Sequence, residues 1–221
     1  MGSESYWLDT APAFTGAQLG GLPRQVDVAV VGGGFTGLAA ARALVLKGAS
    51  VVVLDAGRVI GEASGRNGGQ CNTGVAQDYA GLHASLGAAK ARAYYQAYES
   101  AVQSVVSLAE QEGIACDLVR NGKLKLAAKP MHYEGLARTC ELIRQEVDAD
   151  VELLSAEQTR AEVNSAQFHG GLLQRNGVQM HVGRFGVGLA EAAARRGAMI
   201  YEHTQVNDWK IGRRRVGKEC P

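Results

Sequence analysis

Three glycines at fixed spacing carry the first chemistry in this chain. Gly32, Gly34 and Gly37 follow the apolar run VDVAVV (26–31) and open the Ala-rich stretch LAAARALVLKG (38–48). A strand–turn–helix of this kind exposes free N–H groups and a partial positive charge at the helix N-terminus, which suits a pyrophosphate. Each glycine then has a task. Gly32 permits the tight turn, Gly34 lets the backbone approach phosphate, and Gly37 lets the helix pack close on the strand. Asp55 ends the next apolar run, SVVVLD (50–55). It stands near the ~20-residue spacing expected for a carboxylate that accepts a ribose hydroxyl. A bound dinucleotide is the reading that uses all of these residues. A Gly-rich structural turn and a turn carboxylate are the plainer alternatives.

The segment GEASGRNGGQCNTG (61–74) narrows the choice of dinucleotide. A plain nicotinamide fold does not place such a stretch after its second strand. Gly61, Gly65, Gly68 and Gly69 bring backbone close to a ligand. Arg66 offers a rigid fork of donors to phosphate or carboxylate. Asn67, Gln70 and Asn72 present amides that can match the donor–acceptor edge of a flavin pyrimidine ring. A flexible surface loop is the bland alternative.

Other chemistry-bearing residues give weaker signals. His83, His132, His169, His181 and His203 lack metal-ligand spacing. His181 and Arg184 flank a helix start, so capping or a hinge is the expectation. Tyr94 and Tyr98 share a helical face; with Tyr95 they read as core or interface packing. Cys71, Cys116, Cys140 and Cys220 form no CxxC pair. They read as reduced thiols in a cytoplasmic protein.

The elements that must position these residues follow α/β alternation. Strands at 26–31 and 50–55 flank a helix at 38–48 ending near Gly48, a βαβ unit. A long helix is expected from about Ala84 to Glu112, stopped by Gly113. Asn121-Gly122 suggests a hairpin over 116–128, and Asn176-Gly177 suggests another joining 168–174 to 178–182. Pro130 opens a helix, and Ser155 with Gln158 forms a capping box for the next. A helix at 186–197 leads to a strand within 198–206.

Composition agrees with a globular chain. Of 221 residues, 46% are hydrophobic and 20% charged, with 29 Gly and 4 Pro. Lys plus Arg is 23 and Asp plus Glu is 22, a net charge of +1. That balance argues against a nucleic-acid binder or a polybasic membrane binder, both of which need a cationic face. The uncharged apolar stretch Val28 to Ala41 is too short for an integral membrane segment.

The stretch DVAVVGGGFTGLAAARALVLKGASVVVLDAGRVIGEASGRNGGQ resembles the start of flavoproteins of the D-amino-acid oxidase type. The ASGRNGGQ signature, the N-terminal SYWLDTAP and the segment QMHVGRFGVGLAEAAARRGAMIYEHTQV (179–206) are similar to the γ-glutamylputrescine oxidase branch. The resemblance runs from Ser5 to about Trp209. It implies FAD as cofactor, with Gly32, Gly34, Phe35, Thr36 and Gly37 around the pyrophosphate. It places Asp55 on the adenosine ribose with Ala56, Gly57 and Arg58 nearby. Ser64, Gly65, Arg66, Asn67, Gly68, Gly69 and Gln70 reach the pyrophosphate and isoalloxazine, and Val206 offers its backbone to adenine. Asp55 departs mildly from the family, which more often has Glu there. The implied reaction oxidises a C–N bond of a small-molecule amine or amino acid, with hydride passing to flavin N5 and the imine then hydrolysing. Oxygen or another acceptor takes the electrons. No catalytic residue is nominated; Gln70 and Cys71 stand near the flavin face as spectators.

The implied fold is a Rossmann-like FAD-binding domain interrupted by an α+β substrate-domain segment, both incomplete. Residues 1–25 form an arm, 26–81 the first part of the FAD domain, 82–181 the partial substrate domain and 182–209 the return segment. The basic tail 210–221 does not resemble the family and is read as out-of-frame sequence rather than a solvated tail. A chain lacking the family's later strands is expected to bind FAD weakly and turn over little. A noncatalytic dinucleotide-binding module and an NAD(P)-dependent reductase are the other readings.

Overall fold

The computed structural model describes residues 5–74 and 77–210. A one-turn helix, α1 (Tyr6–Asp9), lies in the arm. Then come β1 (Val28–Val31), α2 (Phe35–Val45), β2 (Val51–Leu54), a 3-10 turn (Ala63–Gly65) and β3 (Gln70–Cys71). The central region holds α3 (Tyr79–Leu86), α4 (Ala88–Gln111), β4 (Lys123–Leu126), α5 (Pro130–Glu146), β5 (Glu152–Leu154), α6 (Ala156–Val163), β6 (Gly171–Gln174) and β7 (Val178–Gln179). The chain returns through α7 (Val182–Arg195) and β8 (Met199–Tyr201).

β1, β2 and β8 form a parallel sheet in the order β1-β2-β8. Val28 pairs with Val51 and Val31 with Leu54; Val52 pairs with Met199. Val51, Val52 and Val53 are buried, as a central strand covered on both faces requires. α2 and α7 pack on this sheet, and Leu38, Ala41, Phe185, Leu189 and Ala193 fill the space with Val51, Val53 and Ile200. Gly48 adopts φ +86 just past α2, the left-handed conformation that ends a helix. Thus the α/β sheet is assembled from both ends of the sequence, with an α+β segment between them, as expected.

That segment has a sheet of order β4-β6-β5, all antiparallel, backed by α3, α4 and α5. Tyr79, Leu82, Tyr95, Leu136, Cys140, Ile143 and Leu172 form its core. α4 serves both cores: Ala91 and Tyr95 enter this one, while Val102, Val106 and Ala109 enter the other. The capping box at Ser155 and Gln158 is present, and Pro130 stands in the first turn of α5.

Three local expectations fail for physical reasons. The long helix begins at Ala88, because Gly87 at φ +80 separates it from α3, which Asp78 caps through the Gly81 N–H. Gly113 at φ +65 ends α4 as expected. The 116–128 hairpin does not form. Asp117 sits at φ +50, which breaks an extended first arm, and β4 pairs instead with the distant β6, Leu124 opposite Leu173. Residues 168–182 form no hairpin either: β6 and β7 enter different sheets, β7 pairing with β3. The two Asn-Gly dipeptides meet each other, with the Gly122 N–H donating to the Gly177 carbonyl at 2.9 Å. Burial of Leu172 in the second core outweighs the local turn preference.

Candidate functional site

The turn after β1 has the geometry its glycines foretold. Gly32 adopts φ +100, and its N–H donates to the Leu54 carbonyl at 2.9 Å. A Cβ on Gly37 would lie 2.0 Å from the Gly32 carbonyl oxygen, so only glycine lets α2 start this close to the strand. Gly34 is the N-cap of α2 without a side-chain cap of its own. Ser64 supplies one: its Oγ accepts from the Phe35 N–H at 3.1 Å. The Gly-rich segment 61–70 therefore folds back onto the N-terminus of α2. Thr36 lies exposed in the first turn beside it.

Asp55 occupies the centre of this cradle. Its Oδ2 accepts from the Gly33 N–H at 2.6 Å and its Oδ1 from the Gly57 N–H at 2.8 Å. A carboxylate has about four acceptor sites; among the described residues two are used, and the others suit hydroxyl donors. This arrangement fits the adenosine ribose of a dinucleotide. Ala56 and Arg58 are exposed on the same turn. The return strand locks it: the Thr204 N–H donates to the Asp55 carbonyl, the His203 N–H to the Gly57 carbonyl, and the Val59 N–H to Glu202 Oε1 at 2.7 Å. Val206 follows this turn, half-buried; among the described residues no hydrogen bond joins it to the cradle.

The segment 64–70 holds itself by local bonds. Asn67 Nδ2 donates to the Ser64 carbonyl at 2.8 Å and Asn67 Oδ1 accepts from the Gly69 N–H at 3.0 Å. The Asn67 amide is thus engaged within the turn. Arg66 Nε donates to the Gly61 carbonyl at 3.2 Å. Gly65 is buried, and Gly68 is exposed with open space beside its Cα. Gly69 takes φ +73 and its carbonyl accepts from the Met180 N–H at 2.9 Å, which carries Gln70 into β3 opposite Gln179. Gln70 is exposed, and its Oε1 accepts from Asn72 Nδ2 at 3.3 Å. Burial pushes the Cys71 thiol up, which keeps it protonated and agrees with a spectator role.

Beyond Gln70 opens a cavity of about 550 Å³, lined among others by Asn72, Tyr94, Tyr95, Tyr98, Lys123 and Gln174. Tyr95 packs in the second core as expected, while its hydroxyl accepts from Gln174 Nε2 at 3.1 Å and donates to Asp148 Oδ2 at 3.2 Å. Burial raises that phenol far above its ordinary range. Tyr94 and Tyr98 turn partly exposed rings to the cavity, a use their i, i+4 spacing allowed. Burial, with Lys125 nearby, lowers the Lys123 ammonium. Sequence reasoning missed Gly33, Glu202 and Lys123. Gly33 could have been found as the peptide between two motif glycines; the others carry no local signal.

The structure thus gathers Gly32, Gly34, Phe35, Thr36, Gly37, Asp55, Gly57 and Ser64 at one helix end, with 65–70 leading from there to the cavity. The family model described as "FAD dependent oxidoreductase" matches residues 27–220. It includes 210–220, the stretch that the sequence set apart; nearly all of that stretch lies outside the described residues. The chain is 34% identical over 180 residues to "Gamma-glutamylputrescine oxidoreductase" of Escherichia coli (strain K12), covering 81% of this chain and 42% of that protein. It is 33% identical over 190 residues to "Probable oxidoreductase OrdL" of Rhizobium meliloti (strain 1021), covering 82% and 42%. Its fold matches the crystal structure of glycine oxidase from Geobacillus kaustophilus with a TM-score of 0.65 and 26% identity, over 83% of this chain and 48% of that one. The chain spans less than half the length of these relatives. An NAD(P)-dependent reductase is set aside by the family match: the chain belongs to the family of FAD-dependent oxidoreductases.

Proposed function

We propose that this chain forms the adenosine-diphosphate side of an FAD site in an enzyme that oxidises the C–N bond of a small amine or amino acid. The observation that carries this reading is the convergence of Asp55, Ser64 and the Gly32–Gly37 turn at the N-terminus of α2. Asp55 accepts the ribose hydroxyls, with Ala56, Gly57 and Arg58 framing them. The turn peptides and Thr36 face the pyrophosphate. Residues 64–70 guide the cofactor toward the cavity, and the backbone near Val206 borders the adenine. Bound FAD supplies two-electron oxidation of the substrate C–N bond.

The cavity beyond Gln70 is the proposed substrate chamber. Its tyrosine rings supply apolar walls, and Lys123, Asn72 and Gln174 supply polar anchors. Similarity to γ-glutamylputrescine oxidoreductase supports an amine substrate; oxygen or another acceptor then takes the electrons. No described helix is long and apolar enough to cross a membrane. The free thiols of Cys71, Cys116 and Cys140 support a cytoplasmic setting.

For this span on its own we propose weak FAD binding and little turnover. β1 has no second strand partner among the described residues, and Val31 is 69% exposed there. A doubly wound sheet buries both edges of its first strand. The test is an equilibrium titration of flavin fluorescence with the purified chain, followed by peroxide assays over amines and amino acids. Saturable FAD binding with little peroxide is expected. A chain that takes up no FAD overturns the cofactor assignment; rapid amine-dependent peroxide formation overturns the low-turnover claim.

A further inference from the structure

The arm does more than cover the sheet. Its distal part is tied to the return segment: Thr15 donates through N and Oγ1 to Glu191, Gln18 N–H donates to the Ile200 carbonyl, and Tyr201 Oη donates to the Gly21 carbonyl. Its proximal part grips the Gly-rich segment instead. Ser5 Oγ donates to the Gly65 carbonyl at 2.6 Å while accepting from the Trp7 N–H as the N-cap of α1. The Trp7 indole Nε1 donates to the Asn67 carbonyl at 2.6 Å. The same indole covers Gly69, where an added Cβ would meet its ring at 3.4 Å, and Leu8 Cδ2 would stand 2.7 Å from a Cβ on Gly65.

A four-residue helix has no stability of its own. α1 is held from behind by α7. Gly183 makes this possible, since a Cβ there would sit 2.0 Å from the Trp7 carbonyl oxygen. His181 completes the seat. Its Nδ1 accepts from the Arg184 N–H, so Nε2 is the nitrogen that donates to Thr10 Oγ1 at 2.9 Å, and Thr10 donates onward to the Tyr6 carbonyl. The His181 ring also meets Trp7 edge-on, 5.1 Å between centroids. α1 is therefore clamped between α7 and the segment 64–69.

That segment has reason to need a clamp. Gly65, Gly68 and Gly69 give it a large conformational entropy when loose. We infer that residues 5–10 are a latch that fixes the path of residues 64–69, with Ser5 and Trp7 as positioning residues for the cofactor. The inference rests on the FAD reading above for its consequence, but not for its structural part.

The test pairs hydrogen exchange in the cofactor-free chain with FAD titration. The reporting amides are Gly65, Arg66 and Gly69, which donate to the Glu62 carbonyl, the Ala63 carbonyl and Asn67 Oδ1. Trp7→Phe keeps a ring and removes the donor; Ser5→Ala removes the other. Each should speed exchange at these amides about fivefold, the effect of one net hydrogen bond, and weaken FAD binding by a similar factor. Gly183→Ala touches no atom of the segment yet should speed exchange at least as much by lifting α1. Thr15→Val, on the distal arm, should leave the reporting amides at wild-type rates, which separates the latch from general loosening of the arm. Unchanged exchange in Trp7→Phe and Gly183→Ala overturns the latch. Faster exchange with unchanged FAD affinity overturns its cofactor role. A wild-type chain that takes up no FAD overturns the proposed function, and the exchange data then judge the latch alone.

Discussion

Replacing Asp55 by Asn separates its two tasks. The carboxylate accepts from Gly33 N–H at 2.6 Å and from Gly57 N–H at 2.8 Å. Asn retains one acceptor oxygen. Whichever way its amide turns, an NH2 faces one of the two backbone donors. One charge-assisted bond is lost, worth about 1.5–3 kcal/mol, and the half-buried setting favours the middle of that range or below. A loss of about 2 kcal/mol lowers the melting temperature by about 4–8 °C for a chain of this size. If the free acceptor sites of Asp55 also hold the ribose, FAD binding weakens further, by about 10- to 100-fold. Differential scanning fluorimetry of the cofactor-free protein reads the first effect, and flavin fluorescence titration reads the second. Wild-type melting in Asp55→Asn would refute the described anchoring. Lowered melting with wild-type FAD affinity would show a purely structural carboxylate and refute the ribose assignment.

Other perturbations test the frame around the site. Gly37→Ala drives a methyl against the Gly32 carbonyl and should cost about 1–3 kcal/mol or more, read as a lower melting temperature by circular dichroism; a neutral outcome contradicts the tight helix start. Glu112, 4% exposed at its side chain, faces Arg42 at 2.5 Å and Arg196 at 2.8 Å. Burial raises its carboxyl, but hydrogen bonds from Arg196 and Arg42 outweigh that and hold it below its ordinary 4.5. Its contribution is therefore complete above that value and fades as pH falls through the lower folded pKa. Glu112→Gln should flatten the acid limb of a stability–pH curve, and an unchanged acid limb contradicts the cluster. Thr159 is fully buried and its Oγ1 has no partner among the described residues, so Thr159→Val should be neutral or stabilising by up to about 1 kcal/mol in urea denaturation.

The legible parts of the fold were those in which local and tertiary demands agree. Gly32, Gly37 and Asp55 could be read because a tight strand–turn–helix imposes residue type, spacing and order together within one βαβ unit. Gly48, Gly113 and the Ser155–Gln158 box were legible for a similar reason: each ends or starts a helix by backbone geometry alone. The two Asn-Gly turns misled because hairpin preference is local, whereas β4 and β7 find partners far away in sequence. Gly87 is hidden inside an Ala-rich pattern that continues on both sides. At the site, the family resemblance marks Ser64 as a cofactor residue, but its cap on Phe35 appears only in three dimensions. Glu202 and Lys123 depend entirely on chain return and on cavity shape. The tail 210–221 lies almost wholly outside the described residues.

A cradle built from Asp55 and the Gly32–Gly37 turn should hold the adenosine half of the cofactor rather than the flavin half. Displacement of FAD from the purified chain by ADP and by FMN tests it directly. ADP should compete through Asp55 and the Gly32–Gly37 turn, while FMN, lacking the adenosine, should compete poorly. Displacement by FMN with indifference to ADP would contradict the cradle described here.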